Sequence, residues 1–226
     1  MYTPPAFEES RPEVLHDLMR RFSFAVLVTH HEAELTASHV PVLSDLSEGD
    51  HGVLLGHLAR ANEQSLHLQA GTEALAIFQG PHAYVSPSWY EAELAVPTWN
   101  YVAIHAYGTP VIVEDPSVVR AYLESLVNTY ERAFERPWEL QAISDEFIRN
   151  LIRGIVFFRM PICRLQGKLK LSQNRSEGDR VGVVRALEQS ADGMGQQLAE
   201  LMREMGLARE GQRDQPGGPV RSASAG

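Results

Sequence analysis

The segment Leu75-Ala-Ile-Phe-Gln-Gly-Pro-His-Ala-Tyr-Val-Ser-Pro-Ser-Trp-Tyr90, followed after a short break by Val96-Pro-Thr-Trp-Asn-Tyr-Val-Ala-Ile-His-Ala-Tyr-Gly108, decides the fold. Two of the three tryptophans and four of the seven tyrosines lie in it. Aromatic residues, prolines and small hydroxyl residues alternate. Flat and β-branched side chains pack well on a pleated surface and proline fixes φ, so the segment reads as β-strands joined by tight turns. Rings beside hydroxyls and an amide suit either an aromatic barrel core or a planar ligand with a polar edge.

Working outward, short strands are predicted at residues 24–30, 35–43, 52–58, 73–79, 82–87, 97–107 and 155–165, with Gly80-Pro81 turning the chain between two of them. So many short strands separated by turns favour a closed barrel over a doubly wound sheet. A first helix begins near Pro12, with Ser10 as cap and Glu13 at the capping-box position. Residues 63–69 form a short helix after a strand and Arg60-Ala-Asn62. That junction reads either as an anion site, with Arg60 as a bidentate donor, or as a helix capped by Asn62. Apolar residues at helical spacing from Val119 to Val127, and a shorter run at 143–153, predict a helical insertion at about 116–153. Amphipathic helices follow at 179–188 and 196–207, and the Gly-, Ser- and Pro-rich residues 210–226 read as a disordered tail.

Composition narrows the function. The 226 residues suit one sizeable domain with an appendage, here residues 1–190 followed by a terminal helix at 191–209. No apolar run is long enough for a membrane helix, and the N-terminus lacks the basic and apolar regions of a signal peptide, so a cytoplasmic location is expected. Cys163 is the one cysteine, which excludes an internal disulfide. The nine histidines follow no standard zinc spacing, so no metal site is expected. A net charge of −9 opposes non-specific attraction to DNA. Lys168 and Lys170 are the only lysines among twenty basic residues, and an extended chain would put both on one face. This placement suggests a need for compact ammonium groups, or else a solvated edge strand. Phosphate-loop and nucleophile-elbow motifs are absent, and no residue has a forced catalytic role.

The blocks Gly56-His-Leu-Ala-Arg-Ala-Asn62, Phe78-Gln-Gly-Pro-His-Ala-Tyr-Val-Ser-Pro-Ser-Trp-Tyr90, Val96-Pro-Thr-Trp-Asn-Tyr101, His105-Ala-Tyr-Gly108 and Gly167-Lys-Leu-Lys-Leu-Ser-Gln-Asn174 carry a resemblance. The chain resembles the PaiB family, described as FMN-binding negative transcriptional regulators, from Tyr2 to about Leu187. The resemblance implies an α+β fold: a split β-barrel of the FMN-binding, pyridoxamine-phosphate oxidase-like type, forming a homodimer with FMN at the subunit interface. On this reading the FMN phosphate lies near His57, Arg60 and Asn62, or near Lys168 and Lys170. Thr36, Ser38 and His39 face the isoalloxazine edge. Trp99, Asn100 and Tyr101 flank the ring or ribityl chain, and Ser172, Gln173 and Asn174 add polar contacts. The flavin would act as ligand or redox sensor of a regulator. Alternatively, it would serve an FMN-dependent oxidoreductase, or the same barrel would bind or degrade haem, in neither case with direct DNA binding.

Overall fold

The computed structural model describes residues 1–208; the tail predicted at 210–226 lies outside the described residues. Among these residues the strands are β1 (Glu8–Glu9), β2 (Phe24–His31), β3 (Glu34–Pro41), β4 (Leu43–Asp45), β5 (Val53–Ala59), β6 (Ala74–Val85), β7 (Thr98–Gly108), β8 (Val111–Ile112) and β9 (Ile155–Lys170). Among the described residues the α-helices are α1 (Pro12–Arg21), α2 (Gln64–Gln69), α3 (Pro116–Glu131), α4 (Asp145–Arg153), α5 (Glu177–Glu188) and α6 (Gly193–Glu204). The strands join in the order β3-β2-β6-β7-β9-β5-β4, and β1 and β8 also pair with β9. This is the α+β split barrel.

The sixteen-residue β9 carries the topology. Its first part pairs antiparallel with β5, from Ala59 opposite Ile155 to Val53 opposite Pro161. Its second part pairs antiparallel with β7, from Gly108 opposite Ile162 to Tyr101 opposite Lys170. Proline has no N–H to give a ladder, and Pro161 stands where the strand changes partner. The register shifts there, between Tyr107 and Gly108, which leaves Cys163 as the extra residue of a bulge. A Cβ on Gly108 would lie 2.2 Å from the Pro161 carbonyl oxygen, so only glycine allows this crossing.

Gly80-Pro81 does not turn the chain, contrary to the sequence reading. β6 runs straight through it. The buried residues alternate from Ala74 to Gly80 and then shift phase by one at Pro81. β2 pairs with β6 only from Ala74 to Ile77, so Pro81 lies beyond that ladder and its missing N–H costs no bond with β2. α1 also starts differently from expectation. Arg11, not Ser10, is the N-cap, with Pro12 in the first turn. The Glu9 carboxylate accepts from the Arg11 backbone N–H at 2.9 Å and from its guanidinium at 2.6 Å, and the guanidinium holds the carboxyl below the usual range.

Contacts divide the chain into two compact units. The first comprises Met1–His82 and Asn100–Leu171. Its core is apolar, with Leu27, Phe78, Ile104, Phe158, Met160 and Leu169 all buried. Burying each such side chain contributes roughly 1.5–3 kcal/mol before entropy is counted. A second cluster fastens the helical insertion: Tyr122 of α3 stacks on Phe157 of β9 with ring centroids 4.4 Å apart, and Val119 packs beside them. The second unit comprises Ala83–Trp99 and, among the described residues, 172–208. α5 and α6 bury Val183, Val184 and Leu187 with Leu198, Leu201 and Met202. The buried Asp179 carboxylate accepts from the backbone N–H groups of Glu91 and Ala92 at 2.8 and 3.3 Å. A Cβ on Gly182 would come within 2.1 Å of the Trp89 carbonyl oxygen, so α5 can approach this segment only through glycine.

His16 is fully buried on α1. Its Nε2 donates to the His51 carbonyl at 2.9 Å, and its Nδ1 is buried without a partner. Protonation would strand a second N–H, and burial holds the His16 pKa below the ordinary imidazole value. Burial does the same to His57. The unfolded chain then binds more protons than the folded one below about pH 6.5. Stability should therefore be complete above that pH and fall as pH drops through the interval down to the folded-state values. Urea midpoints measured between pH 7.5 and 5.5 should decline, and His16→Leu should flatten the slope.

Candidate functional site

The candidate site residues fall into four places. The first is the junction of β3 and α2. Thr36 and Ser38 stand opposite Thr29 and Leu27 of β2, which are buried, so these side chains share the inward face. The Asn62 amide donates to the Ser38 hydroxyl at 2.9 Å, and its carbonyl oxygen accepts from the Gln64 backbone N–H at 2.9 Å. Asn62 thus caps α2. Gln64, fully buried, extends its amide nitrogen to the Leu27 carbonyl, the Thr29 hydroxyl and the Thr36 carbonyl at 2.9, 3.0 and 3.1 Å. The Thr29 hydroxyl also lies 2.9 Å from Nδ1 of His67, which extends the hydrogen-bonded chain from α2 into β2. The Gln64 carbonyl oxygen is buried and unpaired. Gln64 and His67 escape a sequence reading because polar residues on the buried side of a six-residue helix produce no periodic signal, and Thr29 is a single hydroxyl in the otherwise apolar run of β2. Strand alternation separates His39 from Thr36 and Ser38: it is exposed beside Phe24, ring centroids 6.1 Å apart.

The second place is the end of β5. His57 shares a face with Phe157, directly across the ladder. The Tyr122 hydroxyl lies 2.9 Å from His57 Nδ1. Burial favours the uncharged forms of both groups, so the hydroxyl donates and the imidazole accepts. Arg60 does not join Asn62. Its Nε donates to the Arg153 carbonyl at 2.8 Å and one terminal nitrogen donates to the Ile155 carbonyl at 2.7 Å. It ties the end of β5 to the turn between α4 and β9. The expected grouping of His57, Arg60 and Asn62 is thus three separate arrangements.

The third place is the outer face of β7 and β9. Tyr101, Ala103, His105 and Tyr107 stand opposite Lys170, Lys168, Gln166 and Arg164. β9 continues to Lys170 rather than stopping near Leu165, because β7 and β1 both offer it a ladder. The two lysines therefore share a face, with Leu169 turned into the core between them. Lys168 is only 8% exposed. Its ammonium donates to the Tyr2 carbonyl at 3.1 Å and lies 5.2 and 5.5 Å from the ring centroids of Tyr101 and Tyr2. It forms no ion pair among the described residues, although Glu8 stands opposite it on β1. The Arg164 guanidinium lies 3.5 Å from the Tyr107 ring centroid. Asn100 is buried and points inward, away from the Tyr101 side.

The fourth place is the second unit. Trp99, half-exposed, meets Tyr84 edge-on with centroids 6.2 Å apart. Ser172 is buried with φ +63°, a left-handed conformation that few residues other than glycine and asparagine adopt. Gln173 is half-buried and Asn174 exposed in the same turn, which the Arg175 N–H closes on the Ser172 carbonyl at 3.0 Å. Among the described residues no group of three His, Cys, Asp or Glu is placed to hold a metal ion.

Solved structures share this barrel. It aligns with a "putative 5-nitroimidazole antibiotic resistance protein" of Bacteroides thetaiotaomicron at TM-score 0.54 and 14% identity, over 71% of this chain and 85% of that one. It aligns with an FAD- and haem-binding protein of Mycobacterium smegmatis at TM-score 0.56 and 15% identity, over 76% and 78%. These likenesses establish the fold. The family model described as "Putative FMN-binding domain" matches residues 1–164, and the chain belongs to this family, the PaiB family. It is 35% identical over 202 residues to "Protease synthase and sporulation protein PAI 2" of Bacillus subtilis, covering 89% of this chain and 96% of the relative. An uncharacterized protein of Emericella nidulans is 30% identical over 249 residues, covering 93% and 99%. The cofactor of this domain is FMN.

Asn62→Ala removes both the α2 cap and the Ser38 bond, and should cost about 1–2 kcal/mol in urea unfolding.

Proposed function

We propose that the protein is an FMN-binding negative transcriptional regulator of the PaiB type, a cytoplasmic homodimer in which the flavin is ligand or redox sensor. The observation that carries the flavin site is Lys168, a nearly buried ammonium without an ion pair among the described residues. Such a charge is costly unless an anion meets it. The donor set fits FMN. Lys168 and Lys170 would hold the phosphate, and the Tyr101 ring would lie beside it. Ser38 and Asn62, with the Thr36 backbone fixed by Gln64, would orient the polar edge of the ring. Three strands separate β3 from β9 in the sheet order, and the two residue sets face opposite sides of the barrel wall. They would meet one flavin when they come from two protomers, which favours the dimer. When bound, FMN supplies hydride or single-electron chemistry. The residues of this chain bind and orient it. Arg60 and His57, already committed to the Arg153 and Ile155 carbonyls and to Tyr122, are left out of this site.

The regulatory role rests on the name of the Bacillus subtilis relative, which refers to protease synthesis and sporulation. The net charge of −9 favours a second reading, an FMN-dependent oxidoreductase without direct DNA contact. Retention of promoter DNA that falls with salt supports the first; bleaching of the bound flavin by NAD(P)H without DNA retention supports the second. For the site, wild-type protein should prefer FMN over riboflavin by about tenfold or more, the worth of a charge-assisted phosphate contact. Lys168→Met should erase that preference. An unchanged preference in a folded variant places the phosphate elsewhere.

A further inference from the structure

Between the helical insertion and the barrel, the first unit opens a cleft of about 660 Å³. This is within the range of small-molecule sites. Leu68, Ile112, Val119, Ile152, Ile155 and Phe157 give it apolar walls. The walls are held in place independently of any ligand. Tyr122 stacks on Phe157 and bonds His57, which pins α3 to β5 and β9. Arg60 pins the turn between α4 and β9 from the other side. The cleft is therefore preformed.

Arg60 also lines it, together with the carboxylate-bearing Glu114. Two backbone carbonyls fix the plane of the Arg60 guanidinium through Nε and one terminal nitrogen. The other terminal nitrogen makes no hydrogen bond among the described residues, and no carboxylate lies within ion-pair distance. An acidic protein thus presents an oriented, unpaired cation at the exposed edge of a cleft whose lining is part apolar and part polar, with Gln69 and Thr109 among its polar residues. Arginine held in this way loses little entropy on meeting an oxyanion. Arg60 and Glu114 are both exposed, but Glu114, on the loop after β8, has no hydrogen bond among the described residues that fixes it as the two carbonyls fix Arg60.

We propose that this cleft is a second binding site, distinct from the flavin site, for a small amphiphilic carboxylate. The apolar body packs against Ile112, Ile152, Ile155 and Phe157, and the carboxylate accepts from the free terminal nitrogen of Arg60. It would let the protein take a substrate or an effector on the opposite side of β5 from the inward-facing core.

The test uses the full chain saturated with FMN, with octanoate as probe and octylamine, 1-octanol and inorganic phosphate as controls, by isothermal titration calorimetry. Octanoate should bind saturably at one per chain, about tenfold or more tighter than 1-octanol. Arg60→Met should remove that advantage, and Ile152→Trp, which fills the cleft and leaves Arg60 intact, should abolish binding. Both variants should keep the wild-type FMN content. Octanoate binding no better than 1-octanol or octylamine overturns the proposal, as does octanoate binding unchanged in both variants. Loss of FMN from Arg60→Met, with tight binding of phosphate alone to flavin-free wild type, assigns Arg60 to the flavin phosphate and also overturns it.

Discussion

β9 is the constraint on which the first unit depends. One strand serves β5 along its first part and β7 along its second, and also carries β1 and β8. A strand that changes partner must bend and shift register at the point of transfer. Here Pro161, the Cys163 bulge and the side-chain-free Gly108 lie together at that point. Beyond it β9 runs on to Lys170, which fixes which side chains face out. Lys168 and Lys170 sit on one face with Tyr101 because the pairing with β7 leaves no other register.

The same constraint accounts for both proposed sites. The second part of β9 places a nearly buried ammonium against two tyrosine rings. The first part, with β5, forms the wall on which α3 and α4 are fastened, and the cleft is the space these helices leave over Ile155 and Phe157. Polar side chains that a sequence reader would send to a ligand are in several cases used to hold these parts together. His57 holds α3, Arg60 holds the turn before β9, and Asn62 holds α2 against β3. For the half-buried His57 and Asn62 these bonds also offset the cost of removing a polar group from water.

Much of the architecture was legible because it is written in local terms. Alternation marked the strands, helical spacing marked α3 and α4, and the lysine spacing placed two ammoniums on one face of an extended chain. Gly80-Pro81 misled because a dipeptide common in turns can also sit in a strand beyond the end of one of its ladders, here the one with β2. Ser10 misled because the Glu9–Arg11 pair fixes the start of α1 instead. The placement of Arg60 could not be read, since its partners are carbonyls more than ninety residues away in sequence. Tyr2 over Lys168, and the Gln64–Thr29–His67 chain, are likewise contacts between distant segments that no spacing announces.

The central claim is that this barrel holds FMN. The most direct measurement is the absorption spectrum of the purified full-length protein, native and denatured, with the released flavin identified and quantified against protein. The account predicts close to one FMN per chain, either as purified or after incubation with excess FMN and removal of the unbound fraction. A protein that is folded by circular dichroism but retains no FMN after that incubation contradicts it.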